Sequence, residues 1–107
     1  MKRLCILLTI LAAPAFSQDD AVRKGQQVYQ KWCSPCHAPG ANMPGTAAIE
    51  FHYKGSKPAV LEERTDLTPA MVKGFVRNGV YVMPRFRKTE ISDAELDAVA
   101  AYLTRKR

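Results

Sequence analysis

The sequence predicts an all-α domain, and three observations carry the prediction. Three segments space their apolar residues at helical intervals and open or close on recognisable caps. No alternating apolar and polar run is long enough to build a sheet. The chain has 107 residues, room for one small domain.

The elements follow in chain order. Met1-Lys2-Arg3 is a short positive start, Leu4 to Phe16 is almost wholly apolar, and Ala15-Phe16-Ser17 offers small residues where a signal peptidase reads them. The run is short of the roughly 20 residues that span a bilayer, and Pro14 interrupts it. Residues 1–17 therefore read as a secretory signal cleaved after Ser17. The expected location is the periplasm, with no stable membrane insertion after cleavage. Cys5 would leave with the signal. Residues 18–107 then form the domain: 90 residues, 14 basic against 10 acidic, a net charge of +4 in place of +6, and two cysteines, Cys33 and Cys36.

A first helix is expected from about Asp20 to Trp32. Asp19 or Asp20 can cap it, and their charge suits the positive end of the helix dipole. Val22, Gly25, Val28, Tyr29 and Trp32 share one face. Gly25 costs about 1 kcal/mol there relative to Ala, and close approach of another helix would compensate. From about Ala38 to Asp66 the chain reads as a long loop, rich in Pro and Gly. Thr68-Pro69 starts a second helix through Met71, Val72, Phe75 and Val76, which Asn78-Gly79 ends. A loop from Val80 to Ile91 leads to a third helix. Its opening Ser92-Asp93-Ala94-Glu95 is a capping box, its stripe is Leu96, Val99, Ala100 and Leu103, and Arg105, Lys106 and Arg107 suit the dipole at its end. Loops this long in a small domain often wrap something.

Composition narrows the function classes. Hydrophobic residues are 47% and charged residues 24%, a globular balance. The length excludes an enzyme with its own substrate domain, and an odd cysteine count argues against a disulfide-stapled miniprotein. A net charge of +4 with acidic residues interspersed is a poor match to nucleic-acid binding.

Cys33-Ser34-Pro35-Cys36-His37 is C-x-x-C-H, the attachment motif of c-type haem. Two thiols add across the two haem vinyl groups, and the following His37 can reach the iron from the same turn. Rival uses of these residues fit less well. A thioredoxin-like dithiol needs a βαβ context. A structural zinc site takes four ligands, which would have to be Cys33, Cys36, His37 and His52. A simple disulfide, favoured in an oxidising compartment, leaves the position of His37 unexplained.

Met83, before Pro84, is the candidate for the second axial position. Its neutral thioether would stabilise ferrous iron and raise the potential. Met71 reads as core filling on the second helix, Met43 is too close to His37 in sequence, and His52 is the remaining imidazole. Pro44 is a candidate to orient His37 through its backbone carbonyl. Arg77 is a candidate contact for a haem propionate or else the exposed side of the second helix.

The order of helix, C-x-x-C-H, loops, Met83-Pro84 and a last helix ending Val99-Ala100-Ala101-Tyr102-Leu103 resembles class I cytochrome c over essentially all of residues 18–107. That resemblance implies crossed first and last helices, with Gly25 and Tyr29 meeting Val99 and Tyr102, around one covalently bound haem c. The stretch Val76-Arg77-Asn78-Gly79-Val80-Tyr81-Val82-Met83-Pro84-Arg85-Phe86 is similar to the small cytochrome subunits of flavocytochrome alkylphenol hydroxylases. The chain departs from the shortest of these in its long segment from Ala47 to Asp66 and in Met43, where a Gly is usual. This second resemblance implies an electron-transfer subunit, not an enzyme by itself. Its partner would be an FAD-containing subunit oxidising 4-alkylphenols, and its acceptor a periplasmic copper protein or another cytochrome. Val82, Met83 and Pro84 would face the flavoprotein, with Arg85, Arg87 and Lys88 as a basic rim. The alternatives are a free mono-haem carrier and a haem enzyme or ligand sensor with an open axial site.

Overall fold

The computed structural model describes residue 12 and residues 17–107. The expected signal, up to residue 16, otherwise lies outside the described residues. The first helix, α1 (Gln18–Val28), begins earlier than its apolar pattern suggests. Ser17 is its cap, accepting from the Asp20 N–H at 3.3 Å, and Asp19 and Asp20 occupy the first turn instead. Cleavage after Ser17 would remove this cap and leave the two aspartates to meet the helix dipole. The chain stays helical beyond Trp32, through a wider π-type turn at Tyr29–Cys33 and then α2 (Ser34–His37).

The expected loop from Ala38 to Asp66 contains a helix, α3 (Pro44–Tyr53). Pro44 and Gly45 look like breakers, but Pro at the first helical position has no N–H to lose and is already set at helical φ. Lys54, in the left-handed region at φ 48°, ends the helix ahead of Gly55 at φ 80°. A single 3-10 turn, Leu61–Glu63, follows. The remaining loop is tied down by a nearly buried Arg64. Its guanidinium donates twice to Asp66, at 2.6 and 2.7 Å, and Lys57 joins at 3.0 Å.

The last two helices match their expected signals. Helix α4 (Pro69–Asn78) is capped by Thr68, which accepts from the Met71 N–H at 3.2 Å, and ends at Gly79, φ 71°. Helix α5 (Asp93–Leu103) opens on a reciprocal box: Ser92 accepts from the Glu95 N–H, and Glu95 accepts from the Ser92 N–H. Beyond its end, Arg105 donates to the Tyr102 carbonyl and covers that ring at 4.0 Å. Among the described residues there is no strand, only an isolated bridge between Val80 and Met83.

The core lies where α1 meets α5, with α4 alongside. Val28, Tyr29, Val72, Val76, Leu96, Val99, Tyr102 and Leu103 are buried in it. A Cβ on Gly25 would overlap the Ala98 carbonyl and stand 2.8 Å from Tyr102 Cβ. Gly25 therefore permits the backbone contact that its sequence position called for. Tyr29 and Tyr102 pack with ring centroids 5.6 Å apart beside it.

Candidate haem site

The π-type turn delivers the cysteines and the histidine. It inserts an extra residue per turn just before the motif, a device often found at functional sites. Cys33 ends it, and Cys36 and His37 stand on the short α2 with Pro35 near its start. Cys33 and Cys36 are free thiols. Burial, with a smaller contribution from Cys36, pushes the Cys33 thiol up to about 11, while Cys36 is exposed.

His37 is held by its surroundings on several sides. Tyr29 Oη donates to the His37 carbonyl at 3.2 Å, and Thr46 Oγ1 donates to the Ala38 carbonyl at 2.7 Å, tying α3 to the motif. A Cβ on Gly45 would stand 2.6 Å from His37 Cε1 and 2.7 Å from Nδ1. Only glycine admits the ring so close to α3. Burial lowers the pKa of His37, which favours the neutral imidazole a metal ligand requires. Its Nδ1 is buried and has no hydrogen-bond partner. The expected bond from that nitrogen to the Pro44 carbonyl is therefore not formed. Pro44 opens α3, where helical geometry turns carbonyls along the axis. Gly45 is the residue in contact with the ring.

Met83 is half-buried and packs against the core. It sits in a closed turn in which the Val80 N–H donates to the Met83 carbonyl at 3.2 Å and the Met83 N–H to the Val80 carbonyl at 2.9 Å. Gly79 makes this turn possible, since a Cβ there would come within 2.7 Å of the Met83 carbonyl. Three residues on, Phe86 stacks edge-on against Trp32 at 5.8 Å, joining the Met83 loop to the residue before Cys33.

The other candidates lie elsewhere. His52 is exposed on α3 against Tyr53, and among the described residues no three His, Cys, Asp or Glu side chains converge, so the zinc alternative finds no donor set. Arg77 is neither free nor merely exposed: it donates to the Phe86 carbonyl at 3.1 Å and to Asp93 at 2.9 Å. Met71 is not core filling either. With Phe75, Gly74, Asn78, Gly79 and Val80 it lines an open groove of about 370 Å³. Next to this groove Tyr81 and Val82 are 94% and 88% exposed. Gly45, Gly79 and Phe75 were not singled out for the site by sequence reasoning, because their roles depend on contacts made across the fold.

These residues suit a haem. The site offers two unpaired thiols, a half-buried imidazole whose neutral form is favoured, and apolar side chains left partly uncovered on α4. The comparisons agree on the class. Residues 20–103 match the family model described as "Cytochrome C oxidase, cbb3-type, subunit III". The chain belongs to the cytochrome c family and is an electron carrier of that kind, a family that implies haem. Among curated proteins, it is 34% identical over 95 residues to the 4-cresol dehydrogenase [hydroxylating] cytochrome c subunit of Pseudomonas putida, covering 89% of this chain and 71% of the relative. No helix among the described residues is long and apolar enough to cross a membrane.

Proposed function

We propose that this protein is the haem-carrying subunit of an exported flavocytochrome that oxidises 4-alkylphenols. The observation that carries the haem reading is the C-x-x-C-H turn, in which Cys33 and Cys36 are free thiols and the His37 ring packs against Gly45. Bound there, the haem supplies a one-electron iron couple. Cys33 and Cys36 would hold it through thioethers, and His37 would be an iron ligand. Met83 would supply the second ligand, and its neutral thioether would favour the ferrous state. Met71, Phe75 and Val80 provide apolar wall on α4 and its exit. With both ligands supplied by the chain, the protein would carry electrons and would not itself turn over substrate.

The partner reading draws on the name of the relative and on the surface beside Met83. Tyr81 and Val82 give an apolar centre, and the exposed Arg85, Arg87 and Lys88 a basic rim. Such a rim guides encounter with an acidic face and fixes orientation more than it adds affinity. The partner contributes an FAD subunit that delivers electrons singly, and the acceptor is a copper protein or another cytochrome in the periplasm, reached by export through residues 1–17. Native purification with haem and flavin both quantified tests this. Co-elution of the two is expected, whereas a monomeric haem protein without a flavin partner would leave a free carrier. Replacing Met83 by Ala is expected to abolish the sulfur-to-ferric-iron charge-transfer band.

A further inference from the structure

We infer that Arg77 is a positioning residue for Met83, a strut that closes the Met83 loop between the end of α4 and the start of α5. The inference rests on the reading of Met83 as the second axial ligand. The segment from Gly79 to Glu90 buries little of itself: Tyr81, Val82, Pro84, Arg85, Arg87 and Lys88 are exposed, and only Met83, Phe86 and Glu90 among its non-glycine residues are half-covered. Its shape is therefore held by particular bonds rather than by bulk packing. Upstream of Met83 the bonds are local, the reciprocal pair with Val80 and the left-handed Gly79. Downstream they converge on Phe86. Its N–H donates to the Val76 carbonyl at 2.8 Å, its carbonyl accepts from Arg77 Nη1 at 3.1 Å, and its ring rests on Trp32.

Arg77 carries the Phe86 contact on to α5. Its second amino group donates to Asp93, the first residue of that helix, at 2.9 Å. The planar fork of guanidinium serves both acceptors at once. Lys88 also meets Asp93, at 3.0 Å, but that pair is 74% and 64% exposed, whereas the Arg77 side chain is 23% exposed. Water and salt weaken the Lys88 pair more than the Arg77 contacts. The lysine, itself a loop residue, ties the loop to α5 as well, but among its hydrogen bonds and ion pairs it touches neither Phe86 nor α4.

The test uses the haem-loaded protein and reads the iron ligand directly. In Arg77→Gln the ferric charge-transfer band is expected to lose intensity. Imidazole is expected to bind the ferric iron about tenfold more tightly, in line with the loss of one hydrogen bond from a charged donor. Arg77→Lys, which can keep one of the two contacts, should fall between. Lys73→Gln removes a side chain that bridges the same two helices through Asp97 without touching the loop, and it should match the parent. A full band and an imidazole affinity within about twofold of the parent in Arg77→Gln would overturn the strut while leaving Met83 ligation intact. A band that survives Met83→Ala would overturn both. Should Arg77→Gln fail to fold by far-UV circular dichroism, Asp93→Asn, compared with Lys88→Gln as the control for the other partner of Asp93, tests the same strut from its other end. A rise in imidazole affinity of about threefold supports it, and no change overturns it.

Discussion

Where α1 packs against α5, side chains close the structure. Tyr29, Val99 and Tyr102 are buried, and Gly25 lets one backbone touch the other. Where α4 meets the Met83 loop, backbone and charged hydrogen bonds close it instead, and Phe75, Val80, Tyr81 and Val82 are left uncovered. A chain of this size can ill spare apolar area. Apolar side chains abandoned on one side of a well-packed core mark the side where something else belongs. The first region closes on itself, and the second leaves the apolar surface that the proposed haem and partner would cover.

The comparison breaks most severely at Gly25. Gly25→Val pushes a branched side chain into the Ala98 carbonyl, and the expected loss is about 3 kcal/mol, measured by urea unfolding of the haem-loaded protein. A comparable substitution in the open region should do far less. If both regions responded alike, the contrast drawn between them would be wrong.

The next effect is on acid stability. Arg64, and to a smaller degree Lys57, hold the Asp66 carboxyl well below the usual carboxylate range. The unfolded chain therefore takes up that proton first as the pH falls. This contribution is full at neutral pH and is lost as the pH drops through and below the usual carboxylate range. Asp66→Asn should flatten that part of the acid limb in urea midpoints taken across the range. A limb of unchanged slope would show that Arg64 is held in place by burial alone. A smaller change is expected from Ser92→Ala, which opens the box at the start of α5: about 1 kcal/mol, with the charge-transfer band retained.

Features that depend on neighbours in sequence were legible before the fold was known. The Ser92 box, the Thr68-Pro69 start, the Gly79 stop and the C-x-x-C-H turn use residues within four positions of one another. Gly25 was legible through its place on an apolar face. Features that depend on distant partners were not. Pro44 and Gly45 read as loop because nothing local shows that Thr46 anchors α3 to Ala38 or that Gly45 touches His37. The π-type turn leaves no mark in a pattern of helical spacing. The hydrogen bonds of Arg77 leave no local mark, because its acceptors, Phe86 and Asp93, lie 9 and 16 residues away. The residues of the haem motif could be found locally; the residues that hold them needed the fold.

The smallest expected effect on stability is the sharpest test of the second region. Tyr81 and Val82 are almost wholly exposed, and Tyr81 keeps its place in the turn at φ 51°, a conformation disfavoured for an aromatic residue unless its surroundings enforce it. If the pair served the chain's own packing, replacing both by Ser would lower stability as a core deletion does. If it is the centre of a docking face, the double substitution should change stability by less than about 0.5 kcal/mol. Affinity for the flavoprotein, followed by titration calorimetry, should fall by about tenfold or more, because buried aromatic anchors dominate interface energetics. Arg85→Gln on the rim should instead slow association and reduce its dependence on salt, with little change in the dissociation rate. An unchanged affinity in the double variant would move the partner to another face of the molecule and leave the exposed strain at Tyr81 without a function.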